Sequence, residues 1–234
     1  MIARRLYSHS SSTGRGRKMD REFVLSLFSD KGSARSMQKA VGPSEIGGCR
    51  RRVWSRLIGA QETNPDTLSM AAFMGTAIHT AIEKKVKRKD DPFDPRFLLE
   101  LEVEYDGIRG HVDCYDTQAC EVIDWKTITK RKASSFPSGQ QRTQVQIYGY
   151  LLKSTGRHVD TVSLVGIPRD GNELDVVVHS EPYNEQIALD GIAWLRDIES
   201  NLDVIPEPEM PKRFCRDYCP FYDATGDVGC PSSG

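Results

Sequence analysis

No apolar run in the 234-residue chain approaches the roughly 18–20 positions that a bilayer-spanning helix needs, which argues against a membrane role. No secretory apolar core is present, so the default compartment is a reducing cytoplasm. There is no G-x-x-x-x-G-K-S/T element, so the chain has no P-loop of its own, and coupling to a helicase would need another protein. Internal repeats are absent too, which excludes solenoid and propeller arrays. Hydrophobic content of 38% with 28% charged residues describes one globular domain.

The net charge of −1 conceals a division. Residues 1–60 hold 13 Lys+Arg against 4 Asp+Glu, and the remainder holds 19 against 29. A basic front half suits phosphate contact, because neutralised phosphates release counterions. A solvated basic face explains the same charge without a ligand. The first 18 residues carry no acid and little to bury, which predicts a disordered basic tail; residues 1–43 are set apart on this ground. Such a composition also fits a transit peptide, or a translation start at Met19.

Hydrophobic spacing predicts helices over 20–30, from an N-cap at Ser44 to Ile58, and over 69–88, where Met70, Phe73, Met74, Ala77, Ile78, Ala81, Ile82 and Val86 recur. Strands follow at 98–105, 108–116 and 120–127, the first two separated by the turn pair Asp106-Gly107. A helix over 140–153, strands over 160–168 and 173–180, and a helix over 183–201 complete the order. It predicts an α/β fold with one mixed sheet flanked by helices.

The segment Glu121-Val122-Ile123-Asp124-Trp125-Lys126-Thr127 puts Asp124 and Lys126 on one face of a strand, with Ile123 and Trp125 on the other. Alone, that pair is an ordinary salt bridge. The preceding strand, Gly110-His111-Val112-Asp113-Cys114, would bring Asp113 beside Asp124 through a hairpin. Two carboxylates in a partly buried site repel unless a cation or shared proton neutralises them. Oxygen ligands in that arrangement suit Mg²⁺ or Mn²⁺. Such an ion polarises a phosphoryl oxygen and acidifies water, and Lys126 would orient that water or stabilise developing charge. Glu102 and Glu104 read as the polar face of the first strand.

G-x-x-D followed by D-x-K on the next strand resembles the PD-(D/E)XK nuclease superfamily, in its RecB-like branch. Gly75-Thr76-Ala77-Ile78-His79 is similar to the branch's G-x-x-x-H helix, and Gln144-Val145-Gln146-Ile147-Tyr148 to its Q-x-x-x-Y motif. The resemblance spans about residues 44–230. It implies a Mg²⁺ or Mn²⁺ site built from His79, Asp113, Asp124 and the Trp125 carbonyl, with Asp113, Asp124 and Lys126 catalytic. It also implies that Gln144 and Tyr148 contact DNA. Arg50, Arg51, Arg52 and Arg56 are candidate phosphate ligands by their charge.

Six cysteines in a cytosolic chain point to metal or redox chemistry more than to disulfides. Cys215, Cys219 and Cys230 cluster near the C-terminus, with Cys49 as the upstream partner. One early and three late cysteines resemble the iron–sulfur subgroup of RecB-like nucleases, which includes the CRISPR-associated exonuclease and AddB-type nucleases. That resemblance implies a [4Fe–4S] cluster closing a nuclease domain over 44–234. Spacing alone leaves Zn²⁺ open. Cys114 and Cys120 are expected to pack as small apolar residues.

These readings converge on a metal-dependent DNA exonuclease acting on single-stranded ends, with 5′ preference by analogy, in recombination, repair or phage DNA processing. A recombination or CRISPR-adaptation protein is the expected partner. A non-catalytic DNA-binding module partnering an integrase or recombinase, and a zinc-stapled endonuclease, remain open.

Overall fold

The structure is a computed structural model that describes residues 40–64 and 70–232. The basic tail and the helix expected over 20–30 lie outside the described residues. Five strands form one mixed sheet in the order β1-β2-β3-β4-β5: β1 (Phe97–Tyr105), β2 (Ile108–Asp116), β3 (Glu121–Ile128), β4 (Thr161–Pro168) and β5 (Val177–Pro182). All neighbours are antiparallel except β3 and β4. The mixed α/β architecture is the expected one.

The hairpin turns at Asp106-Gly107, both with positive φ, and so sets Tyr105 opposite Ile108. The next turn is held by Asp116, which is 3% exposed. Its carboxylate accepts the Gln118 and Ala119 N–H groups, each at 3.0 Å, and a forked pair of contacts from Arg96 at 2.5–2.9 Å.

The parallel pair requires a crossover, which helix α3 (Gly139–Ser154) supplies. Ser138 caps it with a reciprocal Gln141 contact. Val145, Ile147, Leu151 and Leu152 then enter the main core with Val112, Val122, Val162 and Leu164. The fully buried Gln146 is satisfied at both ends: its carbonyl accepts the Asn184 N–H at 2.7 Å and its amide donates to Glu181 at 2.9 Å. It thereby docks the start of helix α4 (Glu185–Ser200), which backs α3.

Two helices differ from expectation. The helix predicted from Ser44 is divided into a 3-10 turn, Pro43–Glu45, and helix α1, Arg50–Leu57, with Cys49 at its N-cap. Gly47 lies between them at φ 75°, a conformation glycine tolerates and a continuous helix forbids. Helix α2 (Met70–Lys89) forms as expected, but Met70 and Phe73 remain 47% and 39% exposed. Met74, Ile78, His79, Ile82 and Val86 are its half-buried face. A short helix α5 (Lys212–Tyr218), not expected from the sequence, carries Cys215. No helix among the described residues is long and apolar enough to cross a membrane.

Candidate active site

The β2–β3 ladder runs from Asp116↔Glu121 to Cys114↔Ile123 and stops. In register, the next residues are Asp113 and Asp124. There the Asp113 side chain replaces a ladder bond by accepting the Trp125 N–H at 2.8 Å. The strand opens at this point, and the carbonyl of Trp125 lies on the same edge as its N–H, facing the gap.

A pocket of about 310 Å³ occupies this opening. It brings together His79 from α2, Asp113 from β2, Asp124 and Lys126 from β3, and Gln144 and Tyr148 from α3. His79 Nδ1 lies 3.4 Å from Asp113 Oδ1. The Asp113 carboxylate, as hydrogen-bond partner and as charge, holds the His79 pKa above its ordinary value, against the opposing effect of burial.

Asp124 is 2% exposed. Its Oδ2 lies 2.8 Å from the Lys126 ammonium, yet no well-aligned donor among the described residues reaches that oxygen. Burial pushes the carboxyl up to about 6; the Lys126 charge opposes the rise and the Asp113 charge adds to it. A buried carboxylate with an under-satisfied oxygen, beside a second carboxylate, is chemically suited to a hard divalent cation. The donor set therefore fits the Mg²⁺ or Mn²⁺ expected here.

The G-x-x-D and Q-x-x-x-Y motifs prove to be mutual supports. A Cβ on Gly110 would lie 2.7 Å from Tyr148 Cε1 and 3.1 Å from Pro43 Cγ, so the glycine of G-x-x-D admits the ring of Q-x-x-x-Y. Gln144 donates to the Tyr148 hydroxyl at 3.1 Å and to Asp124 Oδ1 at 3.4 Å.

Sequence reasoning missed Glu100. Its carboxylate, with His79 and Asp113, forms a group whose ligand atoms all lie within 4.8 Å of one another. Glu100 sits at the register position opposite Asp113, with a left-handed backbone at φ 49°, a strained conformation for a residue with a long side chain. Glu102, by contrast, is ion-paired with Arg109.

The arginine run is divided. Arg56 lines the pocket, 3.2 Å from Glu45. Arg52 is 3.7 Å from Glu45, and its charge opposes the rise that burial imposes on the Cys215 and Cys219 thiols. Arg50 and Arg51 are not brought to the pocket. Arg50 pairs with Asp197 at 2.6 Å and lies over Trp194, while Arg51 lies over Trp54 and donates to the Pro206 carbonyl.

All six cysteines are free thiols. Cys215, Cys219 and Cys230 are buried, and Cys49 is half-buried. Burial first, then the charges of Cys219, Cys230 and Cys49, push the Cys215 thiol up to about 11. The four sulfurs thus share one locality, although no three of them lie within 4.8 Å of one another. A single tetrahedral Zn²⁺ with Zn–S near 2.3 Å would hold its sulfurs about 3.8 Å apart. Asn64 ties this tail to the segment after α1 by donating to the Arg216 and Cys219 carbonyls at 2.9 and 3.1 Å. Cys114 is buried in the sheet, where burial pushes its thiol up to about 12; Cys120 is half-buried.

Residues 84–224, more than half the chain, match the PD-(D/E)XK nuclease superfamily. Among solved structures, the chain is similar to SSO0001, with 20% identity over 86% of this chain and 93% of that one and a TM-score of 0.55. An alkaline exonuclease (LHK-Exo) from Laribacter hongkongensis aligns at 13% identity over 72% of this chain and 92% of its own, with a TM-score of 0.48. A phage related exonuclease from Haemophilus somnus 129PT aligns at 12% identity over 70% and 92%, with a TM-score of 0.43. No curated protein matches the chain. The family match, joined to a sheet that opens at Asp113, Asp124 and Lys126, establishes that this chain belongs to the PD-(D/E)XK nuclease superfamily.

Proposed function

We propose that the chain hydrolyses phosphodiester bonds in DNA, working from free single-stranded ends, with Mg²⁺ or Mn²⁺ held by His79, Glu100, Asp113, Asp124 and the Trp125 carbonyl. The observation that carries this reading is the meeting of two carboxylates, an imidazole and an ammonium in one open pocket. A bound divalent ion would neutralise charge on the phosphoryl group and acidify a water. Lys126 supplies a second cation beside Asp124, placed to hold the attacking water or the growing negative charge. Gln144 fixes Asp124 from α3, and Tyr148 offers its hydroxyl at the pocket wall. Arg56 is placed to meet a phosphate. Arg50, Arg51 and Arg52 support DNA binding by bracing α1 against α4 and the cysteine tail.

The four cysteines on this reading ligate a [4Fe–4S] cluster. Four free cysteines in one locality support it, as does the resemblance to the iron–sulfur subgroup. Arg52 would offset part of the negative charge of four thiolates.

Digestion of end-labelled single-stranded DNA with Mg²⁺ or Mn²⁺ tests the assignment. Wild type should shorten the strand from its end, and Asp113→Ala and Lys126→Ala should each lower the rate by at least about 10²-fold. Equal rates in all three proteins would end the catalytic reading.

A further inference from the structure

Beyond the catalytic pocket lies a larger groove of about 730 Å³. Its floor begins at Thr127, the residue after Lys126, and follows the end of β3 into the loop ahead of α3. At about 3.3 Å per residue, Thr129 lies roughly 10 Å along the strand from Lys126, a distance of one or two nucleotides. Arg131, Lys132 and Arg169 line one part of the groove, and Arg213 lines another. None of the four has a carboxylate partner among the described residues. The only acid in the lining, Asp217, is paired with Arg216 at 2.9 Å.

Helix α5 adds two aromatic rings to this basic surface. Phe214 and Tyr218 stand one helical turn apart, with ring centroids 5.2 Å apart, and remain 41% and 43% exposed. Core packing does not account for two neighbouring rings left in solvent among unpaired cations. Bases stacking on rings, with phosphates held by arginines and lysines, is the chemistry of single-strand binding. Duplex DNA hides its base faces and gains little from the rings. Phe214 also lines a smaller pocket that shares Ser44 and Glu45 with the catalytic one.

We propose that this groove binds the single-stranded DNA adjoining the nucleotides being cut, with bases on Phe214 and Tyr218 and phosphates on Arg131, Lys132, Arg169 and Arg213. The proposal rests on the nuclease reading for its role, but its binding chemistry is tested separately. Fluorescence anisotropy of a labelled 20-nucleotide oligo(dT) in EDTA, with the full-length protein, measures affinity without cleavage. Phe214→Ala/Tyr218→Ala should weaken binding about tenfold or more. Arg131→Glu/Arg169→Glu, in segments distant in sequence from the cysteine tail, should weaken it and lower the salt slope by about 1.4. Arg157→Glu, at the other end of β4, should bind as wild type does.

Loss confined to single strands, with affinity for a blunt duplex of equal length kept by the aromatic variant, supports the groove. Wild-type affinity in both groove variants, or equal loss on the duplex, overturns it. Wild-type protein that binds through these residues but cuts nothing with Mn²⁺ overturns the nuclease reading and leaves the groove standing.

Discussion

Glu100 shows how a candidate ligand hides in a sequence. Once Asp106-Gly107 is read as the turn, Tyr105 pairs with Ile108, and counting back places Glu100 opposite Asp113. The hairpin register carries that information, whereas strand alternation alone does not separate Glu100 from the acids Glu102 and Glu104. What no count reveals is the left-handed backbone that goes with Glu100's place among His79 and Asp113. Glu100→Gln keeps the shape and removes the charge, so the Mg²⁺ concentration giving half-maximal cleavage should rise at least about tenfold with little change in stability. An unchanged Mg²⁺ titration would remove Glu100 from the site. Asp113, Asp124 and Lys126 could be grouped from strand alternation and the hairpin, whereas His79, Gln144 and Tyr148 were singled out by the family resemblance, since periodicity alone reads them as ordinary helix-face residues. The division of the arginines was not legible. It depends on Glu45, Asp197, Trp54 and Trp194, whose approach is set by tertiary packing.

At the scale of elements, the site exists because β2 and β3 pair at one end and part at the other. Asp116 secures the paired end by gathering Arg96 and two turn amides. Those bonds, with Arg96 the largest cause, hold its carboxyl below the usual range, against burial. A depressed folded-state pKa gives stability that is fully present above the unfolded value, near about 3.9, and is lost as pH falls through the folded value. Asp116→Asn should therefore cost about 2 kcal/mol at pH 7, since Arg96 keeps partial access to solvent and needs no other partner. Denaturant unfolding at pH 7 and at pH 3 measures the difference, which should shrink at the lower pH. A constant gap would show that Asp116 acts through shape and not charge. The boundaries of β1 to β4 were readable from alternation and turn chemistry, but the strand expected over 173–180 begins only at Val177, because Asn172 caps a 3-10 turn at Glu173–Asp175. The break before α1 was not readable, because Gly47-Gly48 can sit in a helix until packing selects φ 75° for the first of them.

For the molecule as a whole, the cysteine tail closes a long loop. Cys49 precedes α1, whereas Cys215, Cys219 and Cys230 lie beyond the last strand, and Asn64 and Thr63 bind the tail's carbonyls. A cluster on these four cysteines, as proposed, would join such distant segments and remove unfolded-state entropy, acting as a staple more than a catalyst. Anaerobically purified protein should be brown with broad visible absorption. Cys215→Ala should lose that colour and most of its solubility. A colourless, zinc-containing wild type, or a soluble and fully active Cys215→Ala, would refute the iron–sulfur staple. The resemblance supplied the four-cysteine grouping. The groove beside α5 was invisible to it, since α5 itself gives only a short and weakly periodic signal.

The central claim is that the two carboxylates at the parting of β2 and β3 hold the working cation. Mn²⁺ titration by calorimetry at pH 8, on wild type, Asp113→Ala, Asp124→Ala and Lys126→Ala, tests it most directly. The account predicts binding to wild type, loss of that binding in both aspartate variants, and retention in the lysine variant although cleavage is gone. Undiminished Mn²⁺ binding without either aspartate would contradict it.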